Sequence, residues 1–177
     1  MSFSVKDRVV YPHHGAAVIE ATESRSMPDG EDKEFFVLRM THGDLVLKVP
    51  VDRAEEIGMR YPISVEDVED VFEVLAKKDV REPTNWSRRF KNHQEKLKSG
   101  DVYECAEVVR NLARRKQDAS LSAAETSMYA QARHTLVSEL AVSWSIDEVE
   151  AGQRIDGALG LASTDRAPVW RPLDQLS

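Results

Sequence analysis

The spacing of apolar residues changes near residue 50, and this change constrains the fold more than any other feature of the chain. The residues before it are rich in β-branched and aromatic side chains, separated by short turns that contain Pro, Gly or Asp. This pattern predicts strands over residues 8–11, 16–20, 34–39 and 44–49. Four or five short strands in about 50 residues favour a small, strongly bent antiparallel barrel.

From residue 64 onward, apolar side chains recur at helical spacing, and a capping residue precedes most of the segments. In each case a Ser or Asp is followed three residues later by a carboxylate, as in a capping box or a near variant of it. These signals predict a compact all-α domain of about five helices. The pairs are Ser64 with Asp67, Asp101 with Glu104, Ser122 with Glu125, and Ser145 with Glu148.

The chain is therefore predicted to be an α+β protein with two domains. We expect a β-barrel domain over residues 1–58 and a helical domain over residues 61–160. The regularity fades after Leu159, and residues 161–177 are expected to form a disordered tail. Trp170, in this tail, is interpreted as an ordinary tail residue, with a short docking element as the alternative.

The segment from Pro83 to Lys91 places a large aromatic ring near several cations. A helix beginning at Thr84 would bring Trp86 and the neighbouring basic residues together in its first two turns. One interpretation is a nucleic-acid contact, in which the cations hold phosphates and the indole presses on a base step. The other is a Trp packed between helices beside solvated arginines. Taken alone, the segment favours the packing interpretation, because buried Trp residues are common.

The charge distribution adds to the nucleic-acid interpretation. The chain of 177 residues has a net charge of −7, but residues 81–135 carry 11 basic and 7 acidic residues, which is a net charge of +4. A locally basic block in an acidic chain is typical of a limited DNA contact. Because the excess is modest, we expect weak binding to DNA alone, so another contact must deliver the protein to its DNA.

The sequence gives no positive indication of an enzyme. The adjacent His13 and His14 point to opposite faces of a strand, and no further ligand follows at metal-site spacing, so they are interpreted as turn residues. Cys105 lies among apolar residues of a predicted helix and is interpreted as a buried hydrophobe. We therefore predict no catalytic residue, no metal and no cofactor. A single cysteine, with neither an apolar run of membrane-spanning length nor a signal-peptide pattern, predicts a cytoplasmic protein without membrane contact.

Several stretches, in the same order and spacing, resemble the CarD family of bacterial RNA polymerase-binding regulators, in particular its actinobacterial members. The resemblance runs from about residue 3 to residue 145 and is therefore more specific than any single motif. It rests on residues 9–17, on 43–45 before a strand ending at 49–50, on 82–89, and on 99–102 with 106–110.

The resemblance implies a function in transcription. The barrel of this protein would be a Tudor-like domain that docks on the β subunit lobe of RNA polymerase. The helical domain would contact promoter DNA in the minor groove at the upstream edge of the transcription bubble, largely without sequence specificity. This contact would stabilise the open complex, for example at ribosomal RNA promoters. Docking on polymerase would supply the high local concentration that a weak DNA contact needs. The protein would act as a monomer, associated with the nucleoid through polymerase.

The resemblance also assigns site residues. Trp86 matches the family's wedge, Arg88 and Lys91 match basic positions beside DNA, and Arg89 and Asn85 are neighbours that add to the contact. On the barrel, Arg25 and Lys48 match positions at the polymerase interface. Without the resemblance, these last two residues would be interpreted as solvated strand cations.

The chain departs from the family pattern at several positions. Lys6 replaces the glycine that usually precedes Asp7, and the turn over residues 27–32 is longer and more acidic. Lys48 stands where relatives carry an arginine, so it keeps the charge but loses the bidentate fork. Thr126 stands where relatives carry a lysine near DNA, which predicts a weaker salt dependence.

Two alternatives to this function remain open. A stand-alone DNA-binding repressor would need a recognition helix that reads bases, and the Trp86 segment offers no Asn or Gln at base-reading spacing. A protein adaptor would bind partners through both the barrel and Trp86, without touching DNA.

Overall fold

The N-terminal part of the chain folds into a four-stranded antiparallel sheet with the strand order β1-β2-β3-β4. The computed structural model describes residues 2–161, so the predicted tail beyond Leu161, with Trp170, lies outside the described residues. The strands are β1 (Arg8–Tyr11), β2 (Gly15–Ser26), β3 (Asp32–Met40) and β4 (Val46–Pro50). The predicted antiparallel β domain is confirmed.

A bulge between Ile19 and Ala21 shifts the register of β2 against β3, and such bulges bend and twist a sheet. The concave side encloses a small apolar core that includes Val9, Leu38 and Met59. The sheet is therefore curled around this core, as the predicted barrel requires.

The strand β2 extends well beyond the predicted residues 16–20. Its outer half is mostly polar and exposed, so the sequence lacks the apolar alternation by which strands are recognised. Pairing of Glu23 with Phe35 and of Arg25 with Lys33 continues the ladder to the hairpin end. Arg25 consequently lies on a regular strand.

Lys6 adopts a left-handed backbone conformation, with a φ angle of 77°. Its N–H donates to the carbonyl oxygen of Ile19 at 2.7 Å, which fixes the turn before β1. Residues other than glycine adopt this conformation at a cost of about 1 kcal/mol or more. The glycine expected here from the resemblance would avoid that strain.

After β4, a 3-10 turn (Val51–Arg53) leads into the short helix α1 (Ala54–Ile57). This helix ends at Gly58, whose φ angle is 100°. The chain then divides between Pro62 and Ile63 into two compact units, the β unit and a helical unit.

The described part of the helical unit contains five helices, the number predicted. They enclose one apolar core, in which Phe72, Leu112, Leu136 and Ile155 are fully buried. The helices are α2 (Val68–Ala76), α3 (Trp86–Lys98), α4 (Val102–Asp118), α5 (Ala123–Trp144) and α6 (Glu148–Ala158). Among residues 2–161, none of the helices combines the length and the apolar character that crossing a membrane requires.

The predicted helix starts are confirmed at α4 and α5. The Asp101 carboxylate accepts the N–H groups of Tyr103 and Glu104, and Ser122 forms a complete capping box with Glu125. The prediction that Ser145 caps α6 is wrong. Ser145 is the left-handed residue that ends α5, with a φ angle of 55°.

The N-terminus of α6 is capped instead by Asp147, whose carboxylate accepts the N–H of Glu150 at 2.7 Å. Near α2, Ser64 caps a turn, its hydroxyl accepting the N–H of Asp67 at 3.3 Å, and the helix itself begins at Val68.

Candidate functional site

The helix α3 begins at Trp86, two residues later than predicted. Pro83 favours an extended backbone in the residue before it, and Asn85 remains extended, with φ of −70° and ψ of 123°. The Asn85 side chain then caps the helix, since its Oδ1 accepts the N–H of Arg88 at 3.0 Å. Asn85, expected beside DNA, therefore has a structural task at the helix start.

Trp86 is the first residue of α3 and remains 42% exposed. Its indole stacks on the ring of Phe90, with centroids 5.0 Å apart and planes inclined by 11°. Phe90 in turn packs against the apolar core of the helical unit. One face of the indole is thus supported by the fold while a large part of the side chain is in contact with solvent.

Arg88 and Lys91 are both exposed on α3. In the described part of the chain, neither side chain is engaged in an ion pair. Arg88 and Lys91 are i,i+3 neighbours of each other. Helical geometry places each of them about 140–160° from Trp86 around the helix axis. The cations and the indole therefore surround the start of α3 and do not form a single row along it.

Arg89 is almost completely buried, with 2% of its surface exposed. Its Nη2 donates to Oε1 of Glu125 at 3.1 Å. Its Nη1 donates to the carbonyl oxygens of Pro83 and Thr84 at 3.3 and 3.4 Å. The expectation that Arg89 adds to a DNA contact is therefore corrected, because its guanidinium is enclosed by protein acceptors and does not face solvent.

Glu125 joins three helices. As a member of the capping box it accepts the N–H of Ser122 at 3.1 Å, and its Oε1 also lies 3.7 Å from Nε of Arg115 on α4. Burial raises the pKa of the Glu125 carboxyl, but the Ser122 hydrogen bonds and the Arg89 guanidinium outweigh this, so the pKa lies below its ordinary value. The carboxyl is consequently ionised at neutral pH and balances the buried guanidinium.

A second side-chain contact joins the residues just before α3 to that helix. Nε2 of His93 lies 2.7 Å from Oε1 of Glu82, and His93 is 2% exposed. Burial raises the pKa of Glu82, but the hydrogen bond with His93 and the nearby positive charges lower it below the ordinary value. Residues 82–85, here called the lead-in segment, are therefore held by side chains of the helix that they precede.

Sequence reasoning identified Glu125 as a cap but missed its ion pair with Arg89. Arg89 and His93 are spaced i,i+4, so they lie on one side of α3. That spacing, next to the partly buried Phe90 and Leu97, is the signal that these polar residues face inward.

The two residues expected to contact polymerase are brought together on the β unit by Glu23. Nζ of Lys48 lies 2.7 Å from Oε2 of Glu23, and Nε of Arg25 lies 3.9 Å from the same oxygen. The hydrogen bond from Lys48 lowers the pKa of Glu23. Glu23, Arg25 and Lys48, here called the barrel cluster, are all substantially exposed, and sequence reasoning did not identify the acidic member.

Thr126 lies beside Glu125 at the start of α5 and is exposed. Its hydroxyl donates to the carbonyl oxygen of Ser122 at 2.9 Å, a contact within its own helix. Position 126, next to the buried ion pair, is thus occupied by an uncharged side chain whose hydroxyl is bound to the backbone.

Known proteins match both parts of the chain. The family model for the CarD-like/TRCF RID domain matches residues 3–62, and the model for the CarD C-terminal domain matches residues 70–156. The Bacillus subtilis (strain 168) protein named "Putative transcription factor YdeB" is 31% identical over 146 residues, which span 82% of this chain and 95% of that protein.

The two family models match the curled β unit and the helical unit in the order of the chain. Together with the relative, they identify the chain as a transcription regulator and not an enzyme. The chain belongs to the CarD family. Its N-terminal match places it among RNA polymerase-interacting transcription factors.

Proposed function

We propose that this protein docks on the β subunit of RNA polymerase through the barrel cluster and stabilises the promoter open complex with Trp86. The observation that carries the proposal is the indole itself. It is 42% exposed at the first position of α3, with Arg88 and Lys91 exposed on the same helix. Placed against DNA, such an indole acts as an apolar wedge between base steps, while the cations bind phosphates.

The DNA contact is largely independent of sequence. An indole face and phosphate-binding cations carry little information about bases, and the Asn85 oxygen is already bound to the helix backbone. A wedge at the upstream edge of the transcription bubble acts on unpaired or unstacked DNA, which exists only after melting. The protein therefore binds the open complex better than the closed one, and this difference in affinity shifts the equilibrium.

The polymerase contact depends on the barrel cluster. Arg25 and Lys48 share the Glu23 carboxylate at the surface, so acidic groups of a partner can replace that carboxylate at little cost. Docking then raises the local concentration of the helical unit near promoter DNA. A gain of about 1.4 kcal/mol in the open complex changes the open-to-closed ratio roughly tenfold.

The test is the lifetime of the open complex formed by the cognate RNA polymerase on a ribosomal RNA promoter. Wild type is compared with Trp86→Ala and with the double variant Arg25→Glu/Lys48→Glu. A second double variant, Arg8→Glu/Arg53→Glu, makes the same charge change at two other exposed positions of the β unit. We expect wild type and this control to lengthen the lifetime, and Trp86→Ala and the barrel-cluster variant to lose the effect.

Other results distinguish the alternatives. A wild-type protein that binds polymerase without changing the lifetime contradicts the wedge. An effect that persists in Trp86→Ala favours an adaptor, and tight binding to duplex DNA without polymerase favours a stand-alone repressor.

A further inference from the structure

The lead-in segment is held by side chains of α3. The carbonyl groups of Pro83 and Thr84 accept hydrogen bonds from Arg89, and the Glu82 side chain binds His93. Both donors lie on α3, and the anchor for Arg89 is Glu125 on α5. The backbone immediately before Trp86 is thus fixed by two helices.

We propose that Arg89 is a positioning residue for Trp86, with Glu125 as its fixed counter-charge. The placement of the indole follows from the contacts described here, and its consequence at DNA rests on the proposed function. Arg89 itself, being buried, does not contact DNA. Its role is to present Trp86 in one orientation before any DNA arrives.

The chemistry of the guanidinium suits this role. A planar fork with several N–H donors can reach Glu125 and two peptide carbonyls together, whereas the ammonium of a lysine is a single compact centre. All three acceptors are in contact with one side chain, so the carbonyls of residues 83 and 84 are locked relative to α5. A group held in its bound geometry loses less conformational entropy on binding.

Two conservative variants separate positioning from simple stability. Arg89→Lys keeps the charge that balances Glu125 but loses the fork to Pro83 and Thr84. Glu125→Gln keeps an acceptor for the capping box, in which Gln replaces Glu, but removes the counter-charge. The matched control is Arg133→Lys, because Arg133 makes a similar forked contact elsewhere, to Asp156 at 3.0 Å and to the Gly152 carbonyl at 3.4 Å.

The first measurement is the indole N–H resonance of Trp86 in the ¹⁵N-labelled full chain, assigned by its absence from Trp86→Phe. We expect Arg89→Lys and Glu125→Gln to shift or broaden this resonance. Arg133→Lys is expected to leave it unchanged. Thermal unfolding of all variants shows whether each is folded at the temperature of measurement.

The second measurement is the open-complex lifetime described above. At protein concentrations that saturate polymerase, we expect each single variant to reduce the lengthening of the open-complex lifetime about threefold to tenfold. Arg89 and Glu125 contact each other, so the effects of changing them are not additive. The double variant Arg89→Lys/Glu125→Gln is expected to lose no more than the stronger single variant. Arg133→Lys is expected to retain the full effect.

An unchanged Trp86 resonance and an unchanged lifetime in folded Arg89→Lys and Glu125→Gln would overturn the inference. If Arg89→Lys does not fold, Glu125→Gln, which retains its capping box, decides the question. Failure of the proposed function is recognised separately, since Trp86→Ala would then leave the lifetime unchanged while the indole resonance still tests the positioning.

Discussion

The two units of the protein use paired charges in opposite ways. In the barrel cluster, Glu23 bridges Arg25 and Lys48 at the surface, where water competes with each contact. In the helical unit, Arg89 and Glu125 form an ion pair with only 2% of each side chain exposed. An exposed pair is worth little and is readily exchanged for a partner, whereas breaking a buried pair leaves an uncompensated charge. The first arrangement suits docking, and the second fixes a shape.

The largest effect is expected from removing one member of the buried pair. Arg89→Met leaves the Glu125 carboxylate without its principal counter-charge, so the helical unit is expected to lose about 3–5 kcal/mol in free energy of unfolding. Urea denaturation followed by far-UV circular dichroism measures this loss. A loss of less than about 1 kcal/mol would mean that the two charges are not coupled as the structure indicates.

The second largest effect is expected from acid, which weakens the ion pair between Arg89 and Glu125. The pKa of Glu125 lies below its ordinary value of 4.5 in the folded chain, so its contribution to stability is present above that pH and disappears as the pH falls through the folded-state pKa. We expect the stability difference between wild type and Glu125→Gln to narrow as the pH is lowered from about 6 to about 3. The urea midpoints of both proteins at each pH measure this difference. A difference that stays constant would contradict the depressed pKa.

A smaller effect, of opposite sign, is expected in the β unit. Lys6→Gly relieves the left-handed conformation at residue 6, so the β unit is expected to gain about 1 kcal/mol in stability. Hydrogen exchange of β1 and β2 amides measures this gain without interference from the helical unit. Lys6→Ala, which removes the side chain but keeps the strain, is the matched control and should show no gain.

The smallest effect on stability is expected at the barrel cluster. Glu23→Gln removes an exposed partner of Lys48, so we expect the free energy of unfolding to change little and the change to vanish at high salt. Because the carboxylate competes with an acidic partner for Arg25 and Lys48, binding to polymerase is expected to strengthen, by about twofold. Surface plasmon resonance against immobilised polymerase measures this. Weakened binding would mean that Glu23 itself contacts the partner.

Features that depend on a few neighbouring residues were predicted well. Asp101 and Ser122 cap helices through N–H groups two or three residues away, so the sequence contains both partners. Ser145 has the same spacing to Glu148, yet it ends α5, because its N–H and that of Ile146 donate to carbonyls of the preceding helix. A capping signal is ambiguous where one helix follows another closely.

Features that depend on distant partners were not predicted. The outer half of β2 is polar and becomes a strand because β3 supplies its hydrogen bonds. Arg89 has the right spacing to accompany Trp86, but its burial is decided by Glu125 on another helix. Trp86, Arg88 and Lys91 were expected on this helix and lie on it, whereas the inward direction of Arg89 depends on a residue far away in the sequence.

The ion pair between Arg89 and Glu125 also determines when the indole can be placed during synthesis of the chain. The two residues are 36 positions apart, and the N-terminal one leaves the ribosome first. A nascent chain that ends before α5 contains Trp86, Phe90 and the whole of α3, but not the carboxylate that holds Arg89. The surface around Trp86 is thus completed only after the start of α5 has emerged from the ribosome.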